Sequence, residues 1–251
     1  MVGNLVKENK LLKCSLLFIV IALFVMATVS QFTAFGHVEL PTATKKLGYA
    51  QLPSGIKRGD LFIVSNDHTG RVISPTDFNV WRPGSQAGMF CGCCLEVLFT
   101  GNFTSQSFVP VLATGYEYSP DFKTLRIFCR QGVYWSDGIE FTAEDVAYTI
   151  MLIKNVTGFS ANSFMNTWVE RAYAETKYTV VVELKSPYPK FHSFSSTWGG
   201  ITGTYIMPKH IFENVENPVS YKFFPPIGTG PYILRDYDPS GYWFLWERGN
   251  F

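Results

Sequence analysis

The sequence predicts a mixed α/β or α+β fold, and three observations carry that reading. Leu125, Ile127 and Cys129 alternate with Arg126, Phe128 and Arg130, which is the period of a strand. In "KYTVVVELK", Tyr178, Val180, Val182 and Leu184 fall on one face, with Thr179, Val181 and Glu183 on the other. Between these strands, Val146, Ala147, Ile150 and Ile153 recur at helical spacing and form one apolar face. The elements mix without a strict βαβ rhythm, so the class is α/β or α+β.

Bulk properties narrow the function classes. The 251 residues can bury a sizeable core, and the net charge of +1 has no basic stripe to suggest nucleic acid. Aromatic residues make up 16% of the chain, as 22 Phe, 13 Tyr and 6 Trp. That content suits close packing, and also stacking of a ligand on rings.

The chain opens with "MVGNLVKENKLLKCSLLFIVIALFVMATVSQ". Lys7, Lys10 and Lys13 precede an uncharged apolar run from Cys14 to Val29, the basic and apolar regions of an export signal. Thr28 and Ser30, or Ala34 and Gly36, offer small residues for cleavage. An uncleaved membrane anchor is the alternative for residues 1–36. Either way the bulk of the chain is expected outside the cytoplasm. Residues 37–59 read as a polar linker, and the globular part is expected from residue 60 onward.

"DLFIVSN" reads as a buried first strand, and the following "DHTGRVISPTDFNVWRPGSQAG" as loop. "CCLEVLFTGN" is expected to open as a helix and close in a turn. The "KYTVVVELK" strand ends at "SPYPKF", because Pro187 and Pro189 cannot donate to a ladder. Asn102 and Asn155 each begin a glycosylation sequon, informative only in a host that glycosylates exported proteins.

The segment "GVYWSDGIEFTAEDVAYTI" crowds Asp137, Glu140, Glu144 and Asp145 together. Each has a structural use. Thr142 to Asp145 has the form of a capping box, Glu144 and Asp145 lie in a first helical turn, and Asp137-Gly138 is a turn signal. A glycosidase-like pair would need carboxylates facing each other across a sugar, a geometry nothing in this spacing supplies. No G-x-S-x-G or H-E-x-x-H is present, so an exported hydrolase is disfavoured.

Past the amino-terminal segment the cysteines are Cys91, Cys93, Cys94 and Cys129. "CGCC" lacks the second half of a zinc pattern, and disulfides or inert buried thiols are the more ordinary fate in an exported protein. Four cysteines allow three pairings, which remain open at this level. An exported metal-binding or redox module built on this cluster is the alternative function.

The arrangement "LATGYEYSPDFKTLRIFCRQGVYWSDGIEFTAEDVAYTI" resembles the family 5 extracytoplasmic solute-binding proteins. The matching positions include Arg130, Gly132, Val133, Trp135, Ser136, Asp137, Gly138, Phe141, Thr142, Ala143, Asp145 and Val146. "IMPKHIFENV" and "PPIGTGPYIL" supply two further motifs in the family's order, the second with Gly228, Thr229, Gly230, Pro231 and Tyr232. The resemblance implies a type II periplasmic-binding-protein-like first lobe over residues 60–251. It implies capture of oligopeptides or oligosaccharides by hinge closure, and delivery to the permease of an ABC importer. It implies no catalytic residue and no cofactor. Family members continue beyond the GTGPY motif into a second lobe, so an amino-terminal fragment is expected, with that lobe largely absent and an apolar face left exposed.

"DFNVWRPG" and "STWGGITGTYIMPKHIFE" look closest to the branch that includes cellooligosaccharide and mannooligosaccharide receptors. Candidate ligand contacts are Asn66, His68, Trp81 and Trp198. The competing reading makes the two tryptophans packing residues and His68 a surface histidine. Trp135 is assigned to the core.

Overall fold

The computed structural model describes residues 72–85, 91–102, 104, 107–195 and 204–249. The expected strand at "DLFIVSN", the linker and the amino-terminal segment lie outside the described residues.

The central element is a four-stranded antiparallel sheet. Its strands are β3 (Ala113–Tyr118), β4 (Thr124–Cys129), β5 (Val169–Thr176) and β6 (Thr179–Leu184), in the order β3-β4-β6-β5. Two hairpins flank it: β1 (Phe99–Asn102) with β2 (Ser107–Pro110), and β7 (Tyr232–Tyr237) with β8 (Phe244–Arg248). Helix α1 (Ala143–Asn155) and the shorter α2 (Asn162–Trp168) connect β4 to β5. A 3-10 helix spans Phe191–Ser195, and a single turn, α3, spans Lys209–Phe212.

The two strands read from period two are the middle pair of this sheet. Leu125 faces Val182 and Ile127 faces Val180 in register, all four side chains buried. Val181, on the opposite face, is also buried although it is not part of the main core cluster. Its register partners are Arg126 and Tyr173, and side chains opposite one another in a ladder share a face. Their long stems therefore account for cover that alternation alone could not predict. Because β5 and β6 form a hairpin and β6 inserts beside β4, all neighbours are antiparallel and the mixed class resolves to α+β.

Helix α1 lies on β5 and β6 with Val146, Ile150 and Ile153 buried. Its end is closed by Asn162, whose side-chain amide donates to the carbonyls of Ile153, Lys154 and Val156 at 2.8, 3.0 and 3.2 Å. These are the acceptors a helix C-terminus leaves unpaired. The loop reading holds for residues 72–85, which contain turns but neither helix nor strand.

The helix expected in "CCLEVLFTGN" is corrected. Only a 3-10 turn forms, at 91–93, and the chain then continues without helix to β1. The carbonyls of Val97 and Leu98 accept N–H groups from Leu112 (3.2 Å) and Val111 (3.0 Å), a long-range pairing that overrides local propensity.

Candidate functional site

The motif-bearing segments converge on one junction beside the N-terminus of α1. It starts in the turn after β4, where the Trp135 N–H bonds the Ile139 carbonyl and the Gly138 N–H bonds the Trp135 carbonyl, both at 2.8 Å. Gly138 sits at φ +89°, a conformation glycine adopts without penalty. Asp137 Oδ1 accepts the Ile139 N–H at 3.2 Å and steadies the turn. Trp135 is buried in the core as expected, its ring edge-on to Phe141 at 6.1 Å.

The acidic cluster resolves into four separate attachments. Asp137 Oδ2 meets His210 Nε2 at 2.7 Å. Glu140 pairs with Lys177 Nζ at 2.7 Å and accepts the Tyr178 hydroxyl, and these two contacts, Lys177 first, hold its pKa below the usual range. Glu144 reaches Lys209 Nζ at 3.1 Å on the exposed side. Asp145 is buried and closes the capping box: its Oδ2 accepts the Thr142 N–H at 2.8 Å.

Asp145 has a second task that spacing could not show. Its Oδ1 accepts the backbone N–H of Lys209 at 3.0 Å, so one carboxylate caps α1 and anchors the "MPKHIF" segment. Burial outweighs these hydrogen bonds and raises the Asp145 pKa. One turn further on, Thr149 Oγ1 accepts the Met207 N–H at 2.8 Å while its hydroxyl donates to the Asp145 carbonyl at 2.7 Å. Sequence reasoning missed Thr149; the available signal was a threonine set between Val146 and Ile150 on the side of the helix that carries the apolar residues.

The GTGPY segment docks on the other side of the same turn. The Ser136 N–H donates to the Gly228 carbonyl at 2.8 Å, and the Gly228 N–H approaches Ser136 Oγ at 3.3 Å. The Gly230 N–H donates to the Cys94 carbonyl at 2.7 Å. A Cβ on Gly228 would stand 1.8 Å from the Cys94 carbonyl oxygen, and one on Gly230 would stand 2.8 Å from it. Both glycines are therefore required by backbone-to-backbone approach. Thr229 lies beside Glu96, whose carboxyl is raised by burial. Pro231 accepts the Gly249 N–H at 2.9 Å, and Tyr232 opens β7 with its ring exposed.

None of the four cysteines of the globular part is bridged in the structure; Cys91, Cys94 and Cys129 are buried and Cys93 is half-exposed. Burial, and then the nearby Asp145 charge, push the Cys129 thiol up to about 12. No three His, Cys, Asp or Glu side chains among the described residues group as metal ligands, so the metal alternative finds no cluster to rest on.

Of the candidate ligand contacts, Asn66, His68 and Trp198 lie outside the described residues. Trp81 is a packing residue: its indole is buried, its N–H donates to the Tyr205 carbonyl at 2.7 Å, and Phe212 and Phe223 meet it edge-on at 5.1 and 5.4 Å. The β7–β8 hairpin does present an apolar surface, with Tyr232, Tyr242, Trp243 and Leu245 exposed. Among the described residues, no helix is long and apolar enough to cross a membrane.

Comparison with known proteins agrees with this geometry. The profile of the Bacterial extracellular solute-binding proteins, family 5 Middle, matches residues 107–248. Protein XP55 of Streptomyces lividans is 33% identical over 127 residues, 50% of this chain and 22% of that protein. The glutathione-binding protein GsiB of Salmonella paratyphi A is 28% identical over 142 residues, 53% of this chain and 26% of that one. The periplasmic oligopeptide-binding protein of a Thermotoga maritima oligopeptide ABC transporter superposes with a TM-score of 0.56 at 26% identity, covering 63% of this chain and 28% of that one. Its structure with bound mannohexaose gives 0.54 at the same identity and coverage. The chain thus spans about a quarter of the length of the curated relatives it matches.

Proposed function

As the chain belongs to the bacterial extracellular solute-binding proteins of family 5, we propose that it serves as the solute-capturing component of an ABC importer, taking oligopeptides or oligosaccharides outside the cytoplasm and passing them to a membrane permease. One observation carries the reading. The profile match covers residues 107–248, and within that span the WSDG turn, the capped helix, the PKH segment and the GTGPY segment meet in one hydrogen-bonded junction. The motifs that identify the family are thus what builds the scaffold here, rather than isolated coincidences of letters.

The family and its solved members are binding proteins rather than enzymes. At the junction Asp137 meets His210, Glu144 meets Lys209 and Asp145 accepts two backbone N–H groups, so these carboxylates hold the scaffold together. Capture by this class of protein needs a ligand that contacts two bodies and so stabilises the closed arrangement over the open one. The oligosaccharide leaning read from "DFNVWRPG" and "STWGGITGTYIMPKHIFE" is supported by the mannohexaose complex of the Thermotoga protein. Asn66, His68 and Trp198 remain the proposed contacts; Trp81 is spent on the core.

The test is a thermal-shift screen, followed by calorimetry, on the protein from the full reading frame. The probes are short peptides, glutathione, mannohexaose and a nickel–histidine complex. A saturable rise in Tm with peptides or oligosaccharide supports the proposal; ligand at about a hundredfold over Kd adds about 2.7 kcal/mol. No response to any probe at about 1 mM would overturn it.

A further inference from the structure

The three cysteine pairings left open by the sequence are narrowed by the local backbone. Residues 91–93 form a 3-10 turn, and the Cys94 N–H donates to the Cys91 carbonyl at 2.9 Å. A 3-10 helix has three residues per turn, so side chains at i and i+3 eclipse one another. Cys91 and Cys94 therefore project from the same side of the turn. Both are buried, at 0% and 1% exposure, while Cys93, off that face, is half-exposed. A turn closed by an i to i+3 bond holds its end Cα atoms within about 7 Å, in the range a disulfide bridges.

We propose that Cys91 and Cys94 form an intra-turn disulfide that fixes the carbonyl on which the GTGPY segment docks. The Cys94 carbonyl is the acceptor for the Gly230 N–H and the surface against which Gly228 is pressed. A cross-link between the two ends of the turn sets that carbonyl's direction. Cys93 lies off the shared face, and Cys129 belongs to a different element, the last residue of β4. Both thiols are buried in the folded junction, at 0% and 1% exposure, which keeps an exchanging disulfide away from them.

The bond therefore forms while the junction is still open, by exchange with a low-molecular-weight disulfide R–S–S–R. One cysteine thiolate attacks R–S–S–R, giving a mixed disulfide and releasing one RS⁻. The second thiolate attacks the cysteine sulfur of that mixed disulfide, forms the Cys91–Cys94 bond and releases the second RS⁻. Two protein thiols are oxidised, one R–S–S–R is reduced to two RSH, and the two thiol protons end on the released thiols. Extracytoplasmic placement, which rests on the proposed function, supplies an oxidising compartment. The geometry does not depend on it, and failure to bind a solute would leave the pairing intact.

The experiment refolds the full chain in a glutathione/glutathione disulfide buffer, blocks free thiols, and maps tryptic peptides by mass without reduction. Arg82 precedes a proline and is not cut, so Val72 to Lys123 is released as one peptide holding Cys91, Cys93 and Cys94. In the Cys93→Ser variant only Cys91 and Cys94 remain in it. The expected result is a peptide lighter by two hydrogens, with no blocking group, in that variant. In the wild type the same peptide carries one blocking group, on Cys93. Reduction should lower Tm by about 4–7 °C in both, from the chain-entropy effect of a four-residue loop, and should leave Cys94→Ala unchanged. Two blocked thiols on the Cys93→Ser peptide, or pairing through Cys93 or Cys129 in the wild type, would overturn the proposal. Should Cys94→Ala fail to fold, the Cys93→Ser map still decides.

Discussion

Replacing Gly228 by alanine tests the junction at its tightest point. The added Cβ would lie 1.8 Å from the Cys94 carbonyl oxygen and 2.5 Å from its carbon, where ordinary contact begins at 3.4 Å. Both atoms are backbone, so no side chain can swing aside. Separation must come from moving one strand of chain off the other, which breaks the Gly230 N–H to Cys94 bond (2.7 Å) and the Ser136 N–H to Gly228 bond (2.8 Å). Two net hydrogen bonds at about 1 kcal/mol each, with about 1–3 kcal/mol for overpacking, give a loss of about 3–5 kcal/mol. For a chain of this size that corresponds to a Tm lower by about 10 °C. Gly132→Ala is the control. Gly132 sits at φ +71° with open space where its Cβ would go, so that variant suffers only backbone strain of about 1–2 kcal/mol. Urea denaturation followed by circular dichroism reads both. A Gly228→Ala protein within about 1 kcal/mol of wild type would refute the claim that backbone approach requires this glycine.

Adjacent acids should behave differently. Asp145→Ala leaves the half-buried Thr142 and Lys209 N–H groups without their acceptor and should cost about 2–4 kcal/mol, while Glu144→Ala should cost less than about 1 kcal/mol, as read by urea midpoints. His192 supplies a pH dependence. Burial depresses its pKa from 6.5 to about 4, with its ring stacked on Tyr116 at 4.2 Å and its Nδ1 3.2 Å from the Tyr118 hydroxyl. The unfolded chain then binds the proton more readily than the folded one, so stability is full above about pH 6.5 and declines as pH falls toward 4. The decline attributable to this residue is about 3 kcal/mol, and His192→Gln should flatten that part of the profile of urea midpoint against pH.

The parts of the fold that could be read in advance are those where period reports burial. Strands β4 and β6 and helix α1 each bury one face on the shared core, and their alternation survives in the structure as Leu125, Ile127, Val180, Val182, Val146 and Ile150. The β7–β8 hairpin gave no such signal, since its residues are mostly half-buried or exposed on both faces. The capping box at Thr142 was legible because its two residues are neighbours in sequence. Asp145's second partner was not, because Lys209 lies 64 residues away and contributes only a backbone N–H, which no side-chain pattern can display. Trp81 illustrates the same limit from the other side: a tryptophan in a loop reads identically as ligand platform or core, and only its contacts with Tyr205, Phe212 and Phe223 separate the two.

The junction also sets an order of events during synthesis. Its ties join residues 58, 64, 73 and 92 positions apart, and the Cys94–Gly230 bond spans more than half the chain. When a chain emerges from its amino terminus, α1 and the β3–β4 hairpin can form early from local contacts. The Cys94 carbonyl and the Asp145 Oδ1 have no partner until the PKH and GTGPY segments follow. The later-made segments therefore lock the earlier-made ones. A chain paused before Met207 would hold its secondary structure while its tertiary clasp stayed open, a state in which it could still be threaded through a narrow passage.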